Sequence, residues 1–400
     1  MVVPDFSALE KVAVAVDTPF FVYNADVVRH TVGLLQESLK GWGDARIAYS
    51  VKTNPLYSLL GTLRESGTWA EVVSIPEFEH ALAVGFLPEQ IVFNGPLKAS
   101  GFSPISLGAA CINIDSIEEI DRLTLAAEHT DQIIRVGVRV CPPLTAPTWS
   151  RFGLNVENGE FEQAMVAIAS SKRLKLAGLH AHLGTQVREP NLYLRLVSLM
   201  RDLWNTYDIP MDALLDIGGG FAFKHDNLES QIPSRDFFAS LADAWGQDRP
   251  CLVIEPGRII AGPSMTLVCR VLTRKKRPRE PDILVLDGGT NHNVMGAFFE
   301  HAWTFADVDN EVANYRLCGP LCMEDDLMSE PRSGQIPRVG TLAVMHNSGA
   351  YSFTLARNFI QGVPPVIEFK ENSFTLIADR SHLKQIYGCR PNAFEMEIQL

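Results

Sequence analysis

The chain has 400 residues, 46% hydrophobic and 20% charged, with a formal net charge of −12. That is enough apolar material for a large core, and more chain than one average domain uses. The composition excludes a disordered protein, and the acidic balance argues against general binding to nucleic acid or to an anionic membrane.

The opening Met-Val-Val-Pro-Asp-Phe has neither the basic nor the apolar stretch of a secretory leader, and no apolar run reaches the length of a membrane span. The seven cysteines are odd in number and scattered. That pattern fits reduced thiols in the cytoplasm better than a disulfide framework. Cys318 and Cys322 stand close together, but no second pair follows at zinc-site spacing, so no metal is expected.

Between about residues 25 and 265 short apolar runs alternate with amphipathic stretches. The expected strands are Ile47–Val51, Trp69–Val73, Ile91–Phe93, Cys111–Ile114, Ile133–Val140, Leu176–Leu179, Ala213–Ile217 and Cys251–Ile254. The expected helices are Leu56–Gly67, Ile75–Val84, Ile117–Glu128, Phe161–Ser170, Leu192–Tyr207 and Ser234–Trp245. This alternation fits a (β/α)8 barrel or a doubly wound sheet, and does not decide between them. Beyond Pro263 the texture changes to Leu267–Arg274, Ile283–Leu286, Tyr315–Leu317, Thr341–Val344 and Val366–Lys370, separated by turn residues. That half reads as antiparallel β. The basic run Arg274–Arg277 reads as a solvated turn.

Four features carry chemistry. Lys52 ends the run Ile47–Val51 and precedes the turn signal Asn54-Pro55. A lysine there points into the mouth of a barrel, although most lysines are merely solvated. His180-Ala181-His182 ends another strand, and a period of two puts both rings on one face. A buried, hydrogen-bonded histidine is the plain alternative for each; His182 would otherwise lie flat against an aromatic cofactor. Gly218-Gly219-Gly220 follows the strand Leu214–Ile217 and offers either a tight turn or backbone N–H groups for an anion. Glu255-Pro256-Gly257-Arg258 follows Leu252–Ile254 with a carboxylate, a glycine amide and a guanidinium. Two such glycine loops late in a barrel suit a phosphate. A lysine, a phosphate cup, a carboxylate and a flat imidazole together describe a pocket for pyridoxal phosphate.

The motifs stand in a register that resembles the fold-type III pyridoxal-phosphate decarboxylases, the group of ornithine, arginine and diaminopimelate decarboxylases. They are Thr18 to Tyr23, Tyr49 to Asn54, Glu71 to Ser74, His180 to Gln186, the triple glycine, Glu255 to Arg258, Asp287-Gly288-Gly289, Gly319 to Cys322 and Gly349-Ala350-Tyr351. The resemblance covers nearly the whole chain. It implies an α/β fold: a (β/α)8 TIM barrel over 25–265 plus an alanine-racemase-like, antiparallel β domain from 1–24 and 266–400. It further implies a homodimer with shared active sites and pyridoxal 5'-phosphate as cofactor. By resemblance, Lys52 is the Schiff-base lysine, His182 stacks on the ring, and Glu255 meets the pyridine nitrogen. Gly218, Gly219, Gly220, Gly257, Arg258 and Tyr351 hold the phosphate. Arg139 lies near the phenolic side, and Cys322, from the other subunit, donates a proton after carbon dioxide leaves.

Departures bear on the substrate. Diaminopimelate decarboxylases read Cys-Glu-Ser-x-Asp where this chain has Cys322-Met323-Glu324-Asp325-Asp326. The arginine and tyrosine that hold a distal carboxylate there correspond to Met295 and Phe299. Glu71 replaces the family's aspartate near the cofactor. Asp326 is expected to meet a substrate ammonium. These departures favour relatives in specialised pathways such as siderophore or antibiotic assembly, acting on an α-amino acid or on the amino-acid moiety of a larger, carrier-linked metabolite. Diaminopimelate decarboxylation in lysine biosynthesis is the alternative, and a non-catalytic regulatory homologue the rival from another class.

Overall fold

The structure, a computed structural model, describes residues 4–100, 102, 106–128, 131–144, 150–222, 232–294 and 300–379. The chain forms two compact units, one of Val28–Ile260 and one of Met1–Val27 with Ala261–Leu400.

Helix α1 (Phe6–Val16) starts at Asp5, whose carboxylate accepts the Ala8 N–H at 2.8 Å. Strand β1 (Phe20–Tyr23) follows, and α2 (Ala25–Leu39) carries the chain into the larger unit. There the strands are β2 (Ala45–Ser50), β3 (Trp69–Val72), β4 (Ile91–Phe93), β5 (Cys111–Ile114), β6 (Ile134–Cys141), β7 (Leu154–Asn155), β8 (Leu174–His180), β9 (Leu214–Asp216) and β10 (Cys251–Ile254). Between and after them run α3 (Tyr57–Glu65), α4 (Ile75–Val84), α5 (Ile117–Ala127), α6 (Glu160–Ser170), α7 (Pro190–Thr206), α8 (Arg235–Trp245) and the short α9 (Arg258–Ala261).

Eight of these strands pair in parallel in the order β5-β4-β3-β2-β10-β9-β8-β6, and β6 pairs back onto β5. That last pairing closes the sheet. A doubly wound sheet stays open, so the alternative left by the sequence is excluded and the fold is a (β/α)8 barrel. The apolar runs are continuous because a parallel barrel strand is covered on both faces, by core inside and helices outside. β3 to β5 are almost wholly buried for this reason. The two-residue β7 sits beside β6, outside the ring.

In the second unit the strands are β11 (Met265–Lys275), β12 (Asp282–Leu286), β13 (Trp303–Phe305), β14 (Val308–Cys318), β15 (Arg332–Pro337), β16 (Leu342–Met345), β17 (Val366–Lys370) and β18 (Ser373–Ala378). The sheet runs β15-β14-β12-β11-β1-β17-β18, with β16 bridging β11 and β13. Most pairings are antiparallel, but β1–β17 and β12–β14 are parallel, so the sheet is mixed. Leu9 and Val12 of α1 pack with Phe20, Val22, Val268, Leu342, Val344 and Ile367 into its core. The basic run ends β11 rather than standing in a turn. Its Arg274 pairs with Asp282 and Glu311, and Lys276 with Glu311. Among the described residues no helix is long and apolar enough to cross a membrane.

The larger unit also buries a charged pair, between the segment after β4 and the first turn of α5. Lys98 and Glu119 are each 1% exposed. The Lys98 ammonium donates to Glu119 Oε2 and to the Gly95 carbonyl, both at 2.8 Å, and Glu119 Oε2 also accepts the Asp115 N–H at 2.8 Å. Burial pulls both groups toward their neutral forms, and pairing opposes it. Removing one partner strands the other charge. Lys98→Met should therefore cost about 3 kcal/mol or more in urea unfolding, while Lys98→Met with Glu119→Leu should recover most of it. Equal stability of the single variant and wild type would show that the pair does not anchor the segment after β4.

Candidate active site

The barrel brings Lys52, His182, Arg139, the triple glycine and Glu255 to the C-terminal ends of its strands, the end where barrel enzymes place their chemistry. β2 stops at Ser50, and Val51–Thr53 form a 3₁₀ turn before Asn54-Pro55. Lys52 therefore projects from the turn beyond the strand, with its side chain 41% exposed. Its ammonium lies 2.5 Å from Glu71 Oε2, on β3. The same oxygen accepts the Ser50 hydroxyl at 2.5 Å. Glu71 is only 1% exposed, so its charge is stabilised by these donors rather than by water.

From Glu71 the polar contacts run on to Glu255. The Asn94 amide, just past β4, donates to Glu71 Oε1 at 3.2 Å and to Glu255 Oε1 at 2.5 Å. Its own oxygen accepts the Asn113 amide at 2.8 Å. Glu255 Oε2 faces His180 Nε2 at 3.4 Å. Burial raises the Glu255 carboxyl, but His180 and Lys52 beside it, with Asp216 assisting, outweigh it and hold the group well below the usual carboxylate range. Glu255 is thus a buried anion facing the barrel mouth.

His182 lies two residues beyond His180 and is half-buried. Burial lowers its pKa to about 4, with Glu255 opposing and His180, Arg139 and Lys52 assisting. Its ring is neutral at neutral pH. Nδ1 accepts the Gly219 N–H at 3.2 Å, so the ring proton belongs on Nε2. Arg139, on β6, pairs with Asp115 at 3.6 Å and lies 4.6 Å from the centre of the Phe152 ring.

The glycine loops are set by close backbone approach. A Cβ at Gly219 would meet the Glu255 carbonyl at 2.2 Å, one at Gly220 the Gly184 carbonyl at 1.9 Å, and one at Gly257 the Thr53 hydroxyl at 2.1 Å. Gly218 and Gly220 also have φ of 68° and 84°, which favour glycine. The Gly218 N–H is spent on Asp216 and that of Gly219 on His182. Among the described residues no hydrogen bond engages the amides of Gly220 and Gly257, which leaves them available to an anion. Thr53 Oγ1 is buried without a partner there. An accessible amine, a buried anion, a flat neutral imidazole and a glycine-lined anion cup fit a phosphorylated aromatic aldehyde in its size, charge and chemistry.

In the second unit Cys322 is exposed with a free thiol, and Met323 beside it is 38% exposed. Asp326 is 2% exposed. Its Oδ1 accepts the Thr290 N–H at 2.7 Å and the Thr290 hydroxyl at 2.8 Å, and its Oδ2 accepts the Leu321 N–H at 2.8 Å. It braces the loop that carries Cys322, so the expected contact with a substrate ammonium would have to displace three internal bonds. Tyr351 is half-buried at a φ of 64°, an unusual conformation for a side-chain-bearing residue. Met295 and Phe299 lie outside the described residues. The sequence argument passed over Asn94, Asn113 and Asp216. Their only signal was a single polar residue within or closing an apolar strand, which the strand pattern absorbs without marking it.

Residues 25–262, more than half of the chain, match the family model described as pyridoxal-dependent decarboxylase, pyridoxal binding domain. The chain belongs to the pyridoxal-dependent decarboxylases. It is similar to diaminopimelate decarboxylase of Bacillus subtilis (strain 168), 25% identical over 381 residues that cover 89% of this chain and 87% of the relative. The same-named enzyme of Staphylococcus aureus (strain COL) is 27% identical over 407 residues, covering 96% of each chain. Among solved structures, diaminopimelate decarboxylase from Helicobacter pylori complexed with L-lysine superposes with a TM-score of 0.83 at 22% identity, over 95% of this chain and 99% of that one. Lysine/ornithine decarboxylase from Vibrio vulnificus complexed with putrescine gives 0.75 at 22% identity, over 92% and 98%. These structures share the alanine-racemase-like barrel fold. The decarboxylase is an amino-acid carboxy-lyase whose cofactor is pyridoxal 5'-phosphate.

His182 gives this site a pH signature in the cofactor-free decarboxylase. An unfolded histidine takes up its proton near pH 6.5, and folded His182 only near 4. Between those values the unfolded chain binds more protons, so stability falls as pH drops from about 6.5 to about 4. His182→Gln should flatten that part of the stability profile measured by chemical unfolding. An unchanged slope in the variant would show that His182 is charged in the folded chain.

Proposed function

We propose that this decarboxylase removes an α-carboxylate from a long diamino acid, with diaminopimelate as the first candidate. The observation that carries this reading is the match to diaminopimelate decarboxylases along 86–96% of the chain, from several bacterial sources. It reverses the order given by the sequence. The expected siderophore or antibiotic pathway and a carrier-linked substrate find no support in these relatives.

Bound pyridoxal phosphate supplies an electron sink for the pair released when the carboxylate departs. Lys52 would hold the cofactor, and Glu71 accepts the hydrogen bond of the Lys52 amine when no cofactor is bound. Glu255 keeps a proton on the ring nitrogen, a role that suits an anion without competing solvent. His182 sets the plane of the ring and adds no charge to it. Gly220, Gly257 and Arg258 bind the phosphate, with Tyr351 joining them, and Arg139 stands by the phenolic oxygen. Cys322, supplied by a second copy of the chain in a homodimer, returns the proton to Cα.

A second reading is favoured by Met323. The exposed residue after Cys322 is uncharged where the diaminopimelate enzymes carry glutamate, which suits a substrate without a charged distal group. A carbon dioxide release assay with diaminopimelate, lysine, ornithine and arginine separates the two. Turnover of diaminopimelate at least about tenfold more efficient than of the other three, a difference of about 1.4 kcal/mol in transition-state binding, is expected. Lys52→Ala should abolish it. Turnover of none of the four would contradict the diamino-acid proposal and promote the second reading.

A further inference from the structure

Two buried carboxyl groups meet where Glu255 is fixed. Asp216, the last residue of β9, is 3% exposed and Glu255 7%. Their oxygens and a His180 nitrogen all lie within 4.8 Å of one another. The ladder enforces this proximity: His180 is the cross-strand neighbour of Asp216, and the Glu255 N–H donates to the Gly218 carbonyl at 2.9 Å. Asp216 Oδ1 accepts the Gly218 N–H at 2.9 Å. Asp216 Oδ2 is buried and has no partner among the described residues.

Two charged carboxylates at this range repel strongly in a desolvated interior, and a buried carboxylate oxygen without a donor carries a further cost. A single proton removes both penalties. Placed on Asp216 Oδ2, it turns the orphaned acceptor into a donor aimed at Glu255. The opposite placement fits worse, because Glu255 already receives Asn94 and faces His180, whereas Asp216 has one donor. Charge settles on the better-solvated group. The surrounding charges agree. Burial raises Asp216 most, Glu255 and Glu71 raise it further, and the Gly218 N–H opposes them. Lys52 favours the charged form of Glu255 and, with Arg139, the neutral form of His182, and the buried Cys111 thiol, pushed up to about 12, stays neutral.

We propose that Asp216 is a positioning residue held as a neutral carboxylic acid, which donates a hydrogen bond to Glu255 and fixes the carboxylate that faces the cofactor's ring nitrogen. The proposal rests on the role given above to Glu255. A divalent cation held by the same three groups would neutralise them equally, so metal content belongs in the test.

The test uses the full chain, with and without pyridoxal phosphate. Infrared spectra of the cofactor-free protein at neutral pH should show the carbonyl stretch of a protonated carboxyl group that Asp216→Asn removes. The asparagine amide also donates, so its cofactor affinity should stay within about twofold of wild type, whereas Asp216→Leu should lose about tenfold or more, the effect of one hydrogen bond to a charged group. Absence of the acid band, equal affinity loss in both variants, or stoichiometric metal in the purified protein would each overturn the proposal. An acid band with normal cofactor binding in the leucine variant would overturn the positioning role alone, leaving the cofactor assignment of the site intact.

Discussion

A carboxylate shut away from water has to be stabilised by the protein, and the mouth of this barrel is arranged around one. Glu255 is 7% exposed and carries its charge beside the Asn94 amide and His180. Asn94 ties it to Glu71, and Glu71 to Lys52. The network draws on the ends of β2, β3, β4, β8, β9 and β10. Only a closed parallel barrel presents that many strand ends to one point, which is why the fold and the chemistry of this decarboxylase are inseparable.

The rest of the site follows from that anion. A neutral His182 avoids placing a second buried charge beside it, and the Gly219 amide fixes the ring's proton on the outer nitrogen. The glycine turns let backbone pass within contact of Glu255 and Thr53 where any side chain would collide. They also commit two of the three consecutive amides internally. Among the described residues the amides of Gly220 and Gly257 carry no internal hydrogen bond, a narrower set than the triple-glycine motif implied. In the second unit a similar economy holds. Asp326 spends both oxygens on shaping the loop of Cys322, and the thiol and Met323 are left exposed.

Much of this was legible in the sequence because the signals were repetitive or local. Apolar runs alternating with amphipathic stretches marked all eight barrel strands, and Lys52, His182 and Glu255 stood at recognisable strand ends. Closure of the barrel was not legible in the alternation, since it depends on one pairing between β5 and β6 that no local pattern encodes; only the family resemblance implied it. β14 was mostly missed because its residues Asp309 to Asn314 are largely exposed and polar, so they carry no alternation. Asn94 and Asp216 were missed for the opposite reason: each is a single polar residue in an apolar setting, and its importance comes from a partner about 160 or 40 positions away. The sequence and the comparisons order the substrates differently because Met323, Met295 and Phe299 bear on a distal contact, whereas the similarity that orders the relatives is spread over the whole chain.

Everything proposed for this site turns on Lys52 as the residue that would hold pyridoxal phosphate at the barrel mouth. The most direct measurement is to load the purified protein with the cofactor, reduce it with borohydride, and locate the modification by peptide mass spectrometry. The account predicts one pyridoxyl group per chain, on the peptide containing Lys52, and none on that peptide in a Lys52→Ala variant. Modification spread over surface lysines, or its absence from the Lys52 peptide, would contradict it.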